Sequence, residues 1–143
     1  MEKYLPIKDF PNYEVSSLGN IRNIKTKKIL KPQKAKRGGY LRIMLYRNNK
    51  GYTITIHRAV ALSHLNNPNN YPEVDHKDRN KFNNQLSNLR WITKKDNIQN
   101  MVPRTSIIFN QYDQKYIVLF EKNQYEYETI DKAVSKFLEV LKI

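Results

Sequence analysis

Short alternating runs of apolar and polar residues fill the first third of the chain, and a helical period then interrupts them. Tyr13-Glu14-Val15-Ser16 alternates as a strand, and Leu18-Gly19-Asn20 is a turn. Ile21 and Ile24, then Ile29 and Leu30, flank Lys25-Thr26-Lys27-Lys28 as a second hairpin. After Gly38-Gly39, where two residues without Cβ let backbone approach backbone, residues 40–46 form a stronger strand. Residues 47–51 turn the chain, and residues 52–56 alternate as the hairpin partner. At His57 the period changes: Val60, Ala61, His64 and Leu65 share one helical face, which ends at Asn66-Asn67-Pro68.

Glu73-Val74-Asp75-His76 is a short strand. Residues 77–88 form a polar loop anchored by Phe82 and Leu86, and residues 89–92 a second strand. Thr93 with Asp96 three residues on is a capping box; the helix it opens carries Asn97 and ends near Met101-Val102-Pro103. Three strands follow, at 105–110, 116–121 and 125–128, before Thr129 caps a last helix. There Ile130, Ala133, Val134, Phe137, Leu138 and Leu141 keep the spacing of one buried stripe. The pattern predicts an α+β chain.

Composition narrows the partner. The 143 residues suit one ordinary domain or a few small modules. Without cysteine there is no disulfide scaffold, no thiolate zinc site and no cysteine nucleophile. No stretch reaches the length of a membrane span, the N-terminus lacks a signal peptide's apolar core, and no amphipathic basic helix or lipidation motif is present. The expected location is cytoplasmic. A net charge of +13 makes double-stranded DNA the leading partner, because neutralised phosphates release condensed counterions. The charge is uneven: residues 1–50 carry 13 basic and 3 acidic side chains, residues 101–143 six of each. Lys25, Lys27, Lys28, Lys31, Lys34, Lys36 and Arg37 crowd one segment, and with Arg42 they are the candidate DNA contacts.

The chemistry concentrates between Glu73 and Asn97. Hydrolysing a phosphodiester needs a base to activate water and a cation to stabilise the leaving oxygen. Asp75 offers a hard anionic ligand, His76 a base that titrates near neutrality, and Asn97 a neutral oxygen ligand. Such oxygen donors fit one divalent ion, Mg²⁺, with Mn²⁺ as the alternative. Neighbouring residues on a strand face opposite ways, so Asp75 and His76 can share a phosphate only where the strand ends or bulges, or where the metal sits at its edge.

Val74-Asp75-His76-Lys77-Asp78, Asn83-Asn84, residues 87–93 and Asp96-Asn97 together resemble the HNH motif of phage and intron homing endonucleases, nucleases of the His-Me finger or ββα-metal class. The likeness extends upstream through residues 57–61 and Asn67-Pro68. It also takes in the segment from Asp9 to Gly19, which is similar to a DNA-binding module fused ahead of such nucleases. The resemblance implies a basic strand-rich module (1–53), a ββα-metal nuclease core (54–102) and a C-terminal sheet-plus-helix module (103–143). It implies His76 as general base, Asp75 and Asn97 as metal ligands, with Asn97 replacing the motif's last histidine, and Asn88 as the residue tying loop to strand. Arg90 is placed to reach a phosphate. Arg79 departs from the pattern, which has Gly in that turn. The tail resembles the three-strand-plus-helix fold of ethylene-response-factor-like DNA-binding domains; with zero net charge it either binds DNA through a few strand residues or only packs.

Blander roles suit other residues. Trp91 and His64 read as core, and His57 as ordering the start of its helix rather than binding metal. The expectation is a monomeric Mg²⁺-dependent DNA endonuclease with no small-molecule cofactor, acting in a bacterial or phage-infected cell. The alternatives are a DNA-binding regulator whose HNH core does not cut and an RNA-binding accessory protein, which fits the charge but leaves Asp75, His76 and Asn97 unexplained.

Overall fold

A computed structural model describes residues 1–99, 105–110, 112–120 and 123–141. Among them, antiparallel strand pairs and three α-helices make an α+β fold in two compact units, Met1–Asn100 and Met101–Ile143.

The first unit opens with a sheet of β1 (Tyr4–Ile7), β2 (Phe10–Ser16) and β3 (Ile21–Asn23), in that order. Buried Ser16 closes the β2–β3 turn: its Oγ accepts from Leu18 N at 3.2 Å and Asn20 N at 2.9 Å. Gly19 supplies the left-handed backbone there, at φ 89°. A second sheet joins β4 (Gln33–Lys34), β5 (Leu41–Arg47) and β6 (Lys50–Thr55). Because Arg47 pairs with Lys50, the hairpin loop is Asn48-Asn49 alone. Both residues have positive φ, and a turn of that hand matches the twist of the flanking strands.

The Gly38-Gly39 expectation is corrected in its reason. Nothing lies within 4 Å of a Cβ built on Gly39, so close approach is not what selects glycine there. The pair has φ of 77° and 70°, a conformation that costs any residue with a Cβ.

Helix α1 (Ile56–His64) is the centre of this unit. It buries Ile56, His57, Ala59, Val60 and Ala61, and packs against β1, β2, β5 and β6 on one side of the sequence and β7 (Glu73–His76) and β8 (Leu89–Ile92) on the other. Leu41, Ile43 and Leu45 point inward from β5 while Arg42, Met44 and Tyr46 alternate outward. Each such buried aliphatic side chain stabilises the fold by about 1.5–3 kcal/mol. Polar ties lock the arrangement: His64 Nε2 lies 2.9 Å from Val15 O, and Leu86 N donates to Ser17 O at 2.8 Å. A 3₁₀ turn, Leu86–Asn88, leads into β8, and α2 (Lys94–Gln99) follows. Thr93 caps α2 as expected, its Oγ donating to Asp96 Oδ2 at 2.6 Å and accepting from Asp96 N at 3.2 Å. The predicted end of that helix, at 101–103, lies outside the described residues.

In the second unit, β9 (Thr105–Asn110), β10 (Lys115–Phe120) and β11 (Asn123–Tyr127) form a sheet with β10 central, and α3 (Ile130–Leu141) packs on it. The buried-stripe expectation for α3 is corrected. Only Ala133 is fully buried, whereas Ile130, Val134, Leu138 and Leu141 are each at least 37% exposed. Helix α3 meets the sheet along a line through Ala133, and the flanking members of the stripe keep a face to solvent. No helix among the described residues is long and apolar enough to cross a membrane.

Candidate active site

Strands β7 and β8 pair in regular register, Asp75 opposite Arg90 and His76 opposite Leu89. Alternation therefore sends Asp75 and Arg90 to one face and His76 to the other. There is no bulge; His76 is simply the last residue of β7. Asp75 is buried, and Arg90 clasps its Oδ2 through Nε and a terminal nitrogen, both at 2.8 Å. Arg90, expected at a phosphate, is thus the counter-ion of the buried carboxylate here, with its own side chain 47% exposed. Helix α2, which carries Asn97, packs against β7.

His76 is buried as well, and its tautomer follows from its neighbours. Asn84 Nδ2 points to Phe82 O at 3.4 Å, which turns Oδ1 toward His76 Nε2 at 2.9 Å. An amide oxygen only accepts, so Nε2 carries the proton and the lone pair is on Nδ1. Burial pulls the imidazole pKa below its ordinary value, opposed by the Asn84 hydrogen bond. At neutral pH the ring is a neutral base. Asn84 belongs to the stretch that resembles the motif, yet sequence reasoning gave it no role; reach from its loop to His76 is decided only by the fold.

The loop 77–88 is held by asparagine side chains. Asn88 Oδ1 accepts from Asp78 N at 3.0 Å, and its Nδ2 donates to Asp78 Oδ1 at 2.9 Å and to Asn83 O at 2.8 Å. Its main-chain oxygen accepts from Lys77 N at 2.8 Å, extending the β7–β8 ladder one step past His76. Asn88 fixes the loop that presents Asn84. Arg79, where the motif has Gly, has φ 64° in a turn closed by its N–H to His76 O at 2.8 Å. The turn keeps its glycine geometry without the glycine.

Three residues that sequence reasoning left aside complete the surroundings. His57, expected to order the start of its helix rather than bind metal, puts its buried ring 5.2 Å from that of His76 and 4.7 Å from that of Tyr40. Lys81 Nζ sits 4.6 Å from the Tyr40 ring centre and donates to Gly38 O at 2.8 Å. Burial lowers its pKa.

The candidate DNA contacts are distributed differently from the site. Lys25, Lys27, Lys28, Lys31, Lys34, Lys36 and Arg37 are exposed or partly so, and Arg42 is half-buried on β5. Lys27 is engaged by Glu14 at 3.1 Å, and Lys34 Nζ lies 5.6 Å from the Phe82 ring centre. Among the described residues no group of three or more His, Cys, Asp or Glu could hold a metal. A divalent ion at Asp75 would need amide, phosphate and water oxygens to complete its shell, which is chemistry that suits Mg²⁺.

A model of the NUMOD4 motif matches residues 2–46, and a model of HNH endonucleases matches residues 56–99. A solved structure of the HNH homing endonuclease I-HmuI, concerning its DNA binding and cleavage, aligns with a TM-score of 0.61 and 34% identity. That alignment covers 94% of this chain and 82% of that one. The chain belongs to the HNH homing endonuclease family. Its family relatives include the DNA endonuclease I-HmuI of Bacillus phage SP01, 41% identical over 72% of this chain and 59% of that protein. An HNH endonuclease of Acanthamoeba polyphaga mimivirus is 39% identical over 80% of this chain and 36% of its own length. The chain thus spans about a third to three fifths of these curated HNH relatives.

Proposed function

We propose that this protein is a metal-dependent endonuclease that hydrolyses phosphodiester bonds in double-stranded DNA. The observation that carries the reading is the oriented, buried, neutral His76 at the end of β7, directly after the buried carboxylate of Asp75. In this reading His76 Nδ1 takes the proton of the attacking water as the oxygen joins phosphorus, while Asn84 holds Nε2–H in place. Asp75 and Asn97 would hold one divalent ion, Mg²⁺ or in its place Mn²⁺. That ion supplies charge stabilisation for the leaving oxygen. Arg90 leaves the Asp75 carboxylate for a phosphate oxygen, and Asn88 keeps the loop 77–88 in shape. Lys25 to Arg37 and Arg42 neutralise backbone phosphates along the N-terminal module.

One site in a monomer nicks one strand. The phage relative supports action in the cytoplasm of a host cell. Supercoiled plasmid incubated with Mg²⁺ should relax, EDTA should stop it, and His76→Ala should cut at least about 100-fold more slowly while binding DNA normally. Cleavage by His76→Ala at the wild-type rate would overturn the assignment of the base.

A further inference from the structure

We propose that His57 is a second functional histidine of this site, a positioning residue whose buried Nδ1 gains a hydrogen-bond partner when DNA is seated against His76. The inference rests on the reading of His76 as the base.

Three elements converge on one cluster of rings. Tyr40 precedes β5, His57 lies in the first turn of α1, and His76 ends β7. The centroid separations are 4.7 Å for Tyr40–His57, 5.2 Å for His57–His76 and 6.1 Å for Tyr40–His76. Lys81 covers the Tyr40 ring and ties it to Gly38 O. The wall that confines His76 on this side is therefore made by Tyr40 just ahead of β5, His57 on α1 and Lys81 of the loop 77–88.

Within the wall, His57 is chemically costly. It is only 7% exposed, and no protein group in the described structure bonds its buried Nδ1. Burying a polar nitrogen without a partner destabilises a fold, and a phenyl ring would fill the same space without that cost. A role in packing alone would favour phenylalanine. Imidazole at this point is explained by a bond made in the functional state, beside the base that the bound phosphate must approach. Burial above all pushes the His57 pKa down to about 3, so the ring stays neutral.

The test compares full-length wild type, His57→Phe, His57→Gln and His76→Ala in single-turnover plasmid nicking, with plasmid affinity and melting temperature measured alongside. His57→Phe should lower the cleavage rate constant about 10- to 100-fold, change affinity less than about twofold and not lower the melting temperature. His57→Gln, which keeps hydrogen-bonding capacity, should recover part of the rate. On a duplex spanning the mapped nick, with EDTA present, the ¹⁵N resonance of His57 Nδ1 should move on binding. Wild-type cleavage by His57→Phe, equal impairment of the Phe and Gln variants, or an unmoved ¹⁵N resonance would each overturn the proposal. If His57→Phe does not fold, the Gln variant and the resonance decide. Full activity in His76→Ala marks failure of the base assignment itself.

Discussion

At the residue scale the site is a set of compensated burials. Asp75 tolerates its position because Arg90 meets it twice at 2.8 Å, and a buried carboxylate stripped of its partner is costly. Arg90→Gln should therefore destabilise the metal-free protein by about 1–3 kcal/mol, the lower end reflecting the exposed guanidinium. Denaturation in EDTA and in Mg²⁺ checks this, since an ion on Asp75 should restore part of the loss. Arg79 carries a different cost. Its φ of 64° is one that a residue with a Cβ pays about 1–2 kcal/mol to adopt, so Arg79→Gly should raise stability by about 1 kcal/mol in urea titrations. A drop would show that the side chain's contacts outweigh the strain. His57 sets a pH dependence. Its pKa is about 3 in the fold against an ordinary 6.5, so the unfolded chain binds a proton that the native ring refuses. Its stability contribution is full above about pH 6.5 and is lost as pH falls toward 3, at up to about 1.4 kcal/mol per pH unit. Chemical denaturation at pH 7 and pH 5 should show a steeper loss for wild type than for His57→Phe.

At the scale of elements, α2 is the weak member. It has six residues, too few to be stable on propensity, and Thr93 satisfies one of its first-turn donors. Thr93→Ala should cost about 1 kcal/mol and weaken metal-dependent cleavage, because Asn97 rides on this helix; Thr93→Ser should restore both. Unaltered cleavage in Thr93→Ala would mean that packing on β7 alone holds the helix. Helix α1 has the opposite character. Its buried residues are shared among strands from both the basic module and the ββα motif, so a cavity there disturbs both at once.

Over the whole molecule the excess charge lies far from even, with residues 1–50 holding most of the +13. Lys28, Lys31 and Lys36 belong to that basic segment, and Lys27 beside them already has Glu14 as partner. Replacing those three with Ala should flatten the salt dependence of DNA affinity by about 0.9 for each phosphate left without its cation, across all sequences. Dissociation constants over a salt series measure it, and a slope that survives the three changes would locate the phosphate-binding surface elsewhere.

Hydrophobic period and turn chemistry by themselves determined much of this protein. They are local, so the β5–β6 hairpin, α1, the β7–β8 pair and the Thr93 cap were all legible; the ordered set from Asp75 to Asn97 was read by its resemblance to the HNH motif. Alternation also posed the problem of Asp75 and His76, and the regular register sends the two side chains to opposite faces at the end of β7. Tertiary structure alone decided which side chains meet. Nothing local says that Asn84 reaches His76 across a loop, that Arg90 is spent on Asp75, or that Tyr40 and His57, 36 and 19 positions upstream of His76, wall it in. The stripe on α3 makes the converse point. Period told which residues share a face, but the packing of α3 on its sheet decided how many are covered. A sequence specifies the periodicity of each element, whereas contact and coverage depend on distances between elements remote along the chain.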